Sequence, residues 1–367
     1  MSNARNLANL LGTGTQIKTA KVADEVFQAN ESLIINGDMA ISQRGTSETT
    51  LGNGNSGYHT IDRFRFTEGG TPTCEFTMSQ STTAPTGFSY SLKMECTTAD
   101  ATPATNDQIR VEQRIEAQNL QHLDYGISSA KSITLSFWVR SNLTGTYVVW
   151  FYQDDDARSA SKTYTIDTAG TWEYKTITLS GDQTGVIDND NGNGLQVNWN
   201  LVAGDTYTTG TANTDWQASV NADRWAGQNV NMASSTSNEW YLTGVKLEVG
   251  SAATPFLHES FGENLAKCQR YFEKVDTGYW TPVTLGQAFQ NRKKIAPIHW
   301  KVSKRATPTC PDITLTIDGG DGTHLFTASE ITKDAVGYTS STSSPSIGTS
   351  DIAFIDAADT ITGDAEL

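Results

Sequence analysis

Charge is sparse in this sequence: only 18% of its 367 residues are Asp, Glu, Lys or Arg. What charge there is leans one way, with 41 acidic against 26 basic residues and a formal net charge of −15. Such a surface repels a phosphate backbone and anionic lipid alike, so no nucleic-acid partner is expected. Cysteine is also scarce. Cys74, Cys96, Cys268 and Cys310 form no CxxC pair, which argues against a cysteine zinc site. Histidine occurs five times, and no Gly-x-Ser-x-Gly elbow, HExxH or phosphate loop is present. The expectation is a protein that is not an enzyme. No run approaches the roughly 18 apolar residues of a membrane span, and residues 1–11 lack the basic-then-apolar order of a secretory leader. Synthesis in a cytoplasm is therefore expected, with no membrane insertion.

What fills the sequence is Ser, Thr, Asn and Gly, with nine Trp among them. That mixture suits short strands joined by polar turns. Alternation of apolar and polar residues picks out about ten segments. They are residues 61–67, 74–78, 89–96, 109–115, 132–141, 145–152, 162–166, 172–179, 195–201 and 239–249. Leu33-Ile34-Ile35 reads as a strand ahead of them, and residues 44–57 as a loop. If Met78 pairs with Leu92, Cys74 and Cys96 face each other inward, as two reduced thiols or as a disulfide. The pattern predicts an all-β fold: a jelly-roll β-sandwich over residues 31–260, then a smaller β domain over 275–367. Between them, Phe261, Leu265, Cys268 and Phe272 share one helical face and predict a connecting helix over 261–274. Residues 1–30 read as an arm. Leu7, Leu10 and Leu11 lie on a short apolar stretch that is too brief to stand alone as a helix, so it must dock on something.

Several segments carry a family likeness. They include residues 1–11, Leu33-Ile34-Ile35-Asn36-Gly37-Asp38-Met39, Tyr58-His59-Thr60-Ile61-Asp62-Arg63-Phe64, Leu135-Ser136-Phe137-Trp138-Val139-Arg140-Ser141 and Cys268-Gln269-Arg270-Tyr271-Phe272-Glu273-Lys274. In these the chain resembles tail-fibre and other tail-associated structural proteins of marine bacteriophages that contain a carbohydrate-binding-module-like jelly roll. The likeness implies a virion protein of the tail, made in the host cytoplasm and assembled as a homotrimer. It implies docking to other tail proteins through residues 1–30, and contact with a host surface glycan. A capsid decoration or tail scaffold protein without a ligand is the alternative of another class. A polysaccharide depolymerase is a third.

Sugar sites set an aromatic ring against the apolar face of a sugar and flank it with polar side chains. The non-alternating stretch 211–237 holds Asp215, Trp216, Asp223, Arg224 and Trp225. With nearby Tyr207, these residues form the preferred glycan-binding candidate; Tyr279 and Trp280 are the second choice. Trp138, Trp172, Tyr174, Trp199 and Trp240, on strands, fit either core or surface. The acidic runs Asp154-Asp155-Asp156 and Asp188-Asn189-Asp190 are the candidates for a depolymerase's carboxylates, and residues 188–194 read as a polar turn or as calcium ligands. Asp38 and Glu248 are a further pair for a structural calcium, if the first and last strands of the sandwich pair; no other cofactor is expected.

Overall fold

The computed structural model describes residues 31–275, 281–283, 285–287, 293–317, 322–340, 353–355 and 360–367. The expected arm, with Leu7, Leu10 and Leu11, lies outside the described residues, as do Tyr279 and Trp280. The chain divides into two compact units, one of residues 1–40 and 45–259, the other of 41–44 and 260–367.

The first unit is a jelly-roll β-sandwich of two antiparallel sheets. One sheet contains β1 (Ser47–Leu51), β4 (Glu75–Ser81), β5 (Ser91–Thr98), β7 (Ile133–Ser141), β10 (Glu173–Leu179) and β13 (Glu239–Val249), in the order β1-β4-β5-β13-β7-β10. The other contains β2 (Gly57–Tyr58), β3 (Arg65–Gly69), β6 (Gln108–Glu116), β8 (Gly145–Gln153), β9 (Arg158–Ile166), β11 (Asn193–Ala203) and β12 (Gln217–Ala218), in the order β12-β9-β8-β11-β6-β3-β2. Alternation sorts each strand between core and outer face. In β8, Tyr147, Val149 and Phe151 join the main core, whereas Val148 and Trp150 belong to a separate cluster with Trp225. The sheets lock through edge-to-face aromatics: Phe137 lies 5.2 Å from Tyr164 and 6.0 Å from Trp199. Burying each such side chain contributes about 1.5–3 kcal/mol. Gly244 sits at φ +60° in an irregularity of β13, and a Cβ there would strike Phe88 and Trp138.

The sequence pattern misleads at four places in this unit. Leu33-Ile34-Ile35 is not a strand; Gln113 instead accepts from Ile35 N at 2.8 Å and donates to Ile35 O at 3.0 Å, so a side-chain amide takes the part of a neighbouring strand. Residues 44–57 are not all loop, because Ser47–Leu51 pairs with β4 as an edge strand that buries only Leu51. Residues 61–64 form a turn, with Arg63 at φ +71°, and the strand begins at Arg65. Finally, Met78 pairs with Met94 and Cys96 with Phe76, two residues from the expected register. Cys74 and Cys96 are both buried free thiols. Burial pushes them up, to about 12 for Cys74 and about 11 for Cys96.

The second unit begins with a helix, α1 (Phe261–Gln269), closed at its start by a reciprocal capping box of Ser260 and Glu263. The helix is shorter than expected. It ends at Gln269 and the chain becomes strand β14 (Phe272–Val275), which pairs with the strand Ile361–Asp364. It groups with the second unit. A seven-stranded antiparallel sheet forms the rest of the unit, around Ile295, Trp300, Ile313, Phe326, Val336 and Tyr338. A buried ion pair joins Lys304 Nζ to Glu273 Oε2 at 2.7 Å. Among the described residues, no helix is long and apolar enough to cross a membrane.

Candidate functional site

Register assembles the site on the outer face of the sheet that contains β6. Across β8, β11 and β6, Tyr152 is level with Gln196 and Arg114. One row along, Trp150 is level with Asn198, Glu112 and, on β3, Arg65. In the next row Asn200 is level with Arg110 and Thr67. Because side chains alternate, all of these stand on the same side of the sheet.

Glu112 is the hub. Its fully buried carboxylate meets Arg114 Nη2 at 2.8 Å, Arg110 Nε at 2.9 Å and Arg65 Nη1 at 3.2 Å. Burial alone would push this carboxyl up, but Arg110, Arg114 and Arg65 together hold it below the usual carboxylate range. Arg110 also donates to Asn198 Oδ1 at 3.0 Å. The three arginine side chains keep 11–23% of their surface exposed, while the Glu112 carboxylate keeps none.

A loop folds over one end of this face. Trp225 is fully buried against Trp150, with ring centres 5.6 Å apart, and its indole donates to Gln108 Oε1 at 3.1 Å. The Arg224 guanidinium lies 4.5 Å over the Trp150 ring and 5.1 Å over Tyr207. It donates to Gln108 Oε1 and Asn221 Oδ1, while Ser161 Oγ on β9 clamps the loop by donating to Arg224 O at 3.0 Å. Burial draws Arg224 down to about 10, with Arg110 adding to the effect, so it remains charged at neutral pH. Tyr152 stacks on Trp150 at 4.8 Å with 23° between planes, and both Tyr152 and Tyr207 are half-buried. Rings, amides and guanidinium groups thus share one face.

Of the expected glycan-binding residues, Tyr207, Arg224 and Trp225 come together here. The other three take different places. Trp216 turns into the main core beside Tyr125 and donates to Ser180 O at 2.9 Å. Asp215 is exposed and accepts from Ser180 Oγ at 2.8 Å. Asp223 accepts from Thr211 N at 2.8 Å and shapes the loop. Trp199 and Trp240 are core. Sequence reasoning missed Arg65, Arg110, Glu112, Arg114 and Tyr152. The signal was in β6, where Arg110, Glu112 and Arg114 alternate with Ile109, Val111 and Ile115 in a chain short of cations.

Each acid of the expected calcium pair, Asp38 and Glu248, lies beside a basic side chain. Glu248 is fully buried; its Oε2 lies 3.0 Å from Lys246 Nζ, and its two oxygens accept from Thr254 N and Oγ1. Asp38 Oδ2 lies 3.9 Å from His258 Nδ1. A lysine thus neutralises the acid that a metal would need. In the acidic turns, Asp155 and Asp156 accept from the backbone N–H groups of Asp188 and Val186, and Asp190 from that of Gly192. Among the described residues, no group of three or more His, Cys, Asp or Glu is placed to hold a metal ion.

The opposite outer face, on the sheet containing β13, carries aromatics too. Trp138 lies 5.3 Å from the exposed Tyr174, and Trp172 lies 6.0 Å from Tyr241. Here Lys93 pairs with Glu95 at 2.7 Å and with Glu239 at 3.4 Å, and Arg140 pairs with Glu239 at 3.7 Å.

No protein-family model matches the chain, and no curated protein matches it. Solved structures do. The enzymatically active domain of a tailspike protein from bacteriophage CBA120 matches at TM-score 0.29 and 13% identity, over 55% of this chain and 21% of its own. A putative sugar-binding protein from Bacteroides thetaiotaomicron matches at TM-score 0.31 and 13% identity, over 60% of this chain and 100% of its own. A family 11 carbohydrate-binding module of a Clostridium thermocellum cellulosomal cellulase matches at TM-score 0.28 and 10% identity, over 58% and 98%. Carbohydrate-binding modules and a phage tailspike domain are therefore among its structural neighbours. At these scores none of them bears on ligand or activity, and the fold rests on the chain's own strand order and register.

Proposed function

We propose that the protein is a non-catalytic glycan-binding protein whose ligand lies across the outer face formed by β8, β11, β6 and β3. The observation that carries this reading is the convergence on one face of the half-buried Tyr152 and Tyr207 rings with the Arg65–Arg110–Arg114 cluster. Rings of this kind accept the apolar faces of sugars, and guanidinium groups fix hydroxyls. The loop that carries Tyr207 and Arg224 is clamped to the sheet, so the site is largely formed before a ligand arrives, which limits the ordering cost of binding. The segments that resemble marine phage tail proteins support a place in a virion tail. On that reading the chain is a homotrimeric fibre or tip protein, anchored through residues 1–30, that presents this face to a host glycan.

Affinity electrophoresis in gels cast with polysaccharides tests the site. Tyr152→Ala and Tyr207→Ala should each weaken binding roughly tenfold, about 1.4 kcal/mol. Trp138→Ala and Tyr174→Ala, on the opposite face, should leave it unchanged. Retardation that survives both tyrosine changes, or is lost in the opposite-face variants, would reject this face as the site.

A further inference from the structure

Resting on that glycan reading, we infer that the ligand is an acidic polysaccharide, whose carboxylate or sulfate groups are taken by the arginines around Glu112. Four guanidinium groups belong to the site, those of Arg65, Arg110, Arg114 and Arg224. The first three share the Glu112 carboxylate, at distances of 2.8–3.2 Å. Arg224 has neutral hydrogen-bond partners, Gln108 and Asn221. Glu112 acts on both Arg110 and Arg224. Cations are thus concentrated on one face of a protein whose formal net charge is −15.

Glu116, further along the same face of β6, is fully buried and accepts from Gln118 Nε2 at 2.6 Å, so four guanidinium groups stand with two carboxylates here, against two cations and two acids on the opposite face. Guanidinium forks suit carboxylate and sulfate groups, and half-desolvated ones bind them more strongly than exposed ones. Arg65 engages Glu112 and Thr67 through Nη1, and 20% of its side chain is exposed. Arg224 sits between the Trp150 and Tyr207 rings. An acid group placed there lies beside rings that hold the sugar itself. A nucleic acid is the less suitable polyanion, because the patch is short and the rest of the surface repels a long phosphate chain.

The test uses the full-length protein and matched polymers. Binding is measured to polygalacturonate against its methyl ester, and to a sulfated galactan against its desulfated form, at low and high salt. At least one acidic chain should bind at least tenfold more tightly than its neutral partner, and the difference should shrink with salt. Arg65→Gln and Arg224→Gln should each erase roughly tenfold of affinity for the acidic chain, while Arg140→Gln leaves it unchanged. Equal binding to acidic and neutral forms would overturn the inference and keep the glycan reading. Binding to none of the four polymers would overturn both. A single-stranded oligonucleotide bound as tightly as the acidic chain would also overturn it, by showing that any polyanion suffices. The comparison of polymers needs no variant, so a folding defect in one substitution cannot obscure the answer.

Discussion

The two outer faces of the sandwich carry similar residue types in different proportions. On the β13 side, Lys93 and Arg140 meet Glu95 and Glu239, two cations against two acids, with the Tyr241 hydroxyl donating to Glu239 at 2.8 Å. On the β6 side, Arg65, Arg110 and Arg114 converge on one carboxylate, that of Glu112. Burial differs as well: Glu239 keeps 29% of its side-chain surface exposed, and Glu112 keeps none. Exposed aromatics therefore do not distinguish a site from a surface here, since both faces have them. Charge balance and desolvation do.

The sharpest way to break this contrast is to make the same substitution on each face. Glu112→Gln removes the one carboxylate that three partly buried guanidinium groups share. Their mutual repulsion is then uncompensated, and a loss of about 3–5 kcal/mol is expected. Chemical denaturation of the full-length protein, followed by tryptophan fluorescence, should show the midpoint of the first unit moving sharply down. A shift under about 1 kcal/mol would mean that the arginines are better solvated than their burial implies.

Acid should reach the same hub by another route. The folded-state pKa of Glu112 lies below its unfolded value of about 4.3, so its stabilisation is fully present above that pH. It is lost as pH falls through the lower, folded-state value. Asp182, held down against its burial by Arg158, Thr184, Gly185 and Gln153, acts in the same sense. Thermal midpoints measured from neutral pH downward should hold above about pH 5 and fall below it. Glu112→Gln should start lower and fall less steeply; parallel curves for the variant and the parent would remove Glu112 as a source of the acid sensitivity.

The contrast between the faces was only half legible in the sequence. Long strands such as β7, β8, β11 and β13 announce themselves, because alternation over nine to eleven residues is hard to imitate. The edge strand β1 does not, because its Ser47-Glu48-Thr49-Thr50 face is exposed and resembles a loop. Leu33-Ile34-Ile35 imitates a strand while Gln113 satisfies its backbone. The site divides in the same way. Tyr207, Arg224 and Trp225 are close in sequence and could be grouped by inspection. Arg65, Arg110, Glu112, Arg114 and Tyr152 lie on three separate strands, and only the registers of β3 with β6, β6 with β11 and β11 with β8 bring them together. A Trp in an irregular segment is ambiguous for a related reason: Trp216 and Trp225 share one loop, but one enters the main core and the other lies beneath the site.

The opposite face provides the smallest expected effect and the control for the rest. Glu239→Gln keeps an oxygen that can accept from Tyr241 and removes only the charge facing Lys93 and Arg140. Both cations have other support: Lys93 retains Glu95, and Arg140 still donates to Gly170 O at 2.8 Å. Pairs whose acid stays partly exposed, as Glu239 does at 29%, contribute about 0.2–1 kcal/mol, and salt screens them. The denaturation midpoint should therefore move by less than about 1 kcal/mol, and the difference from the parent should shrink at high salt. A loss as large as that expected for Glu112→Gln would show that the two faces are equally dependent on their acids, and the charge-balance criterion for locating the site would fail with it.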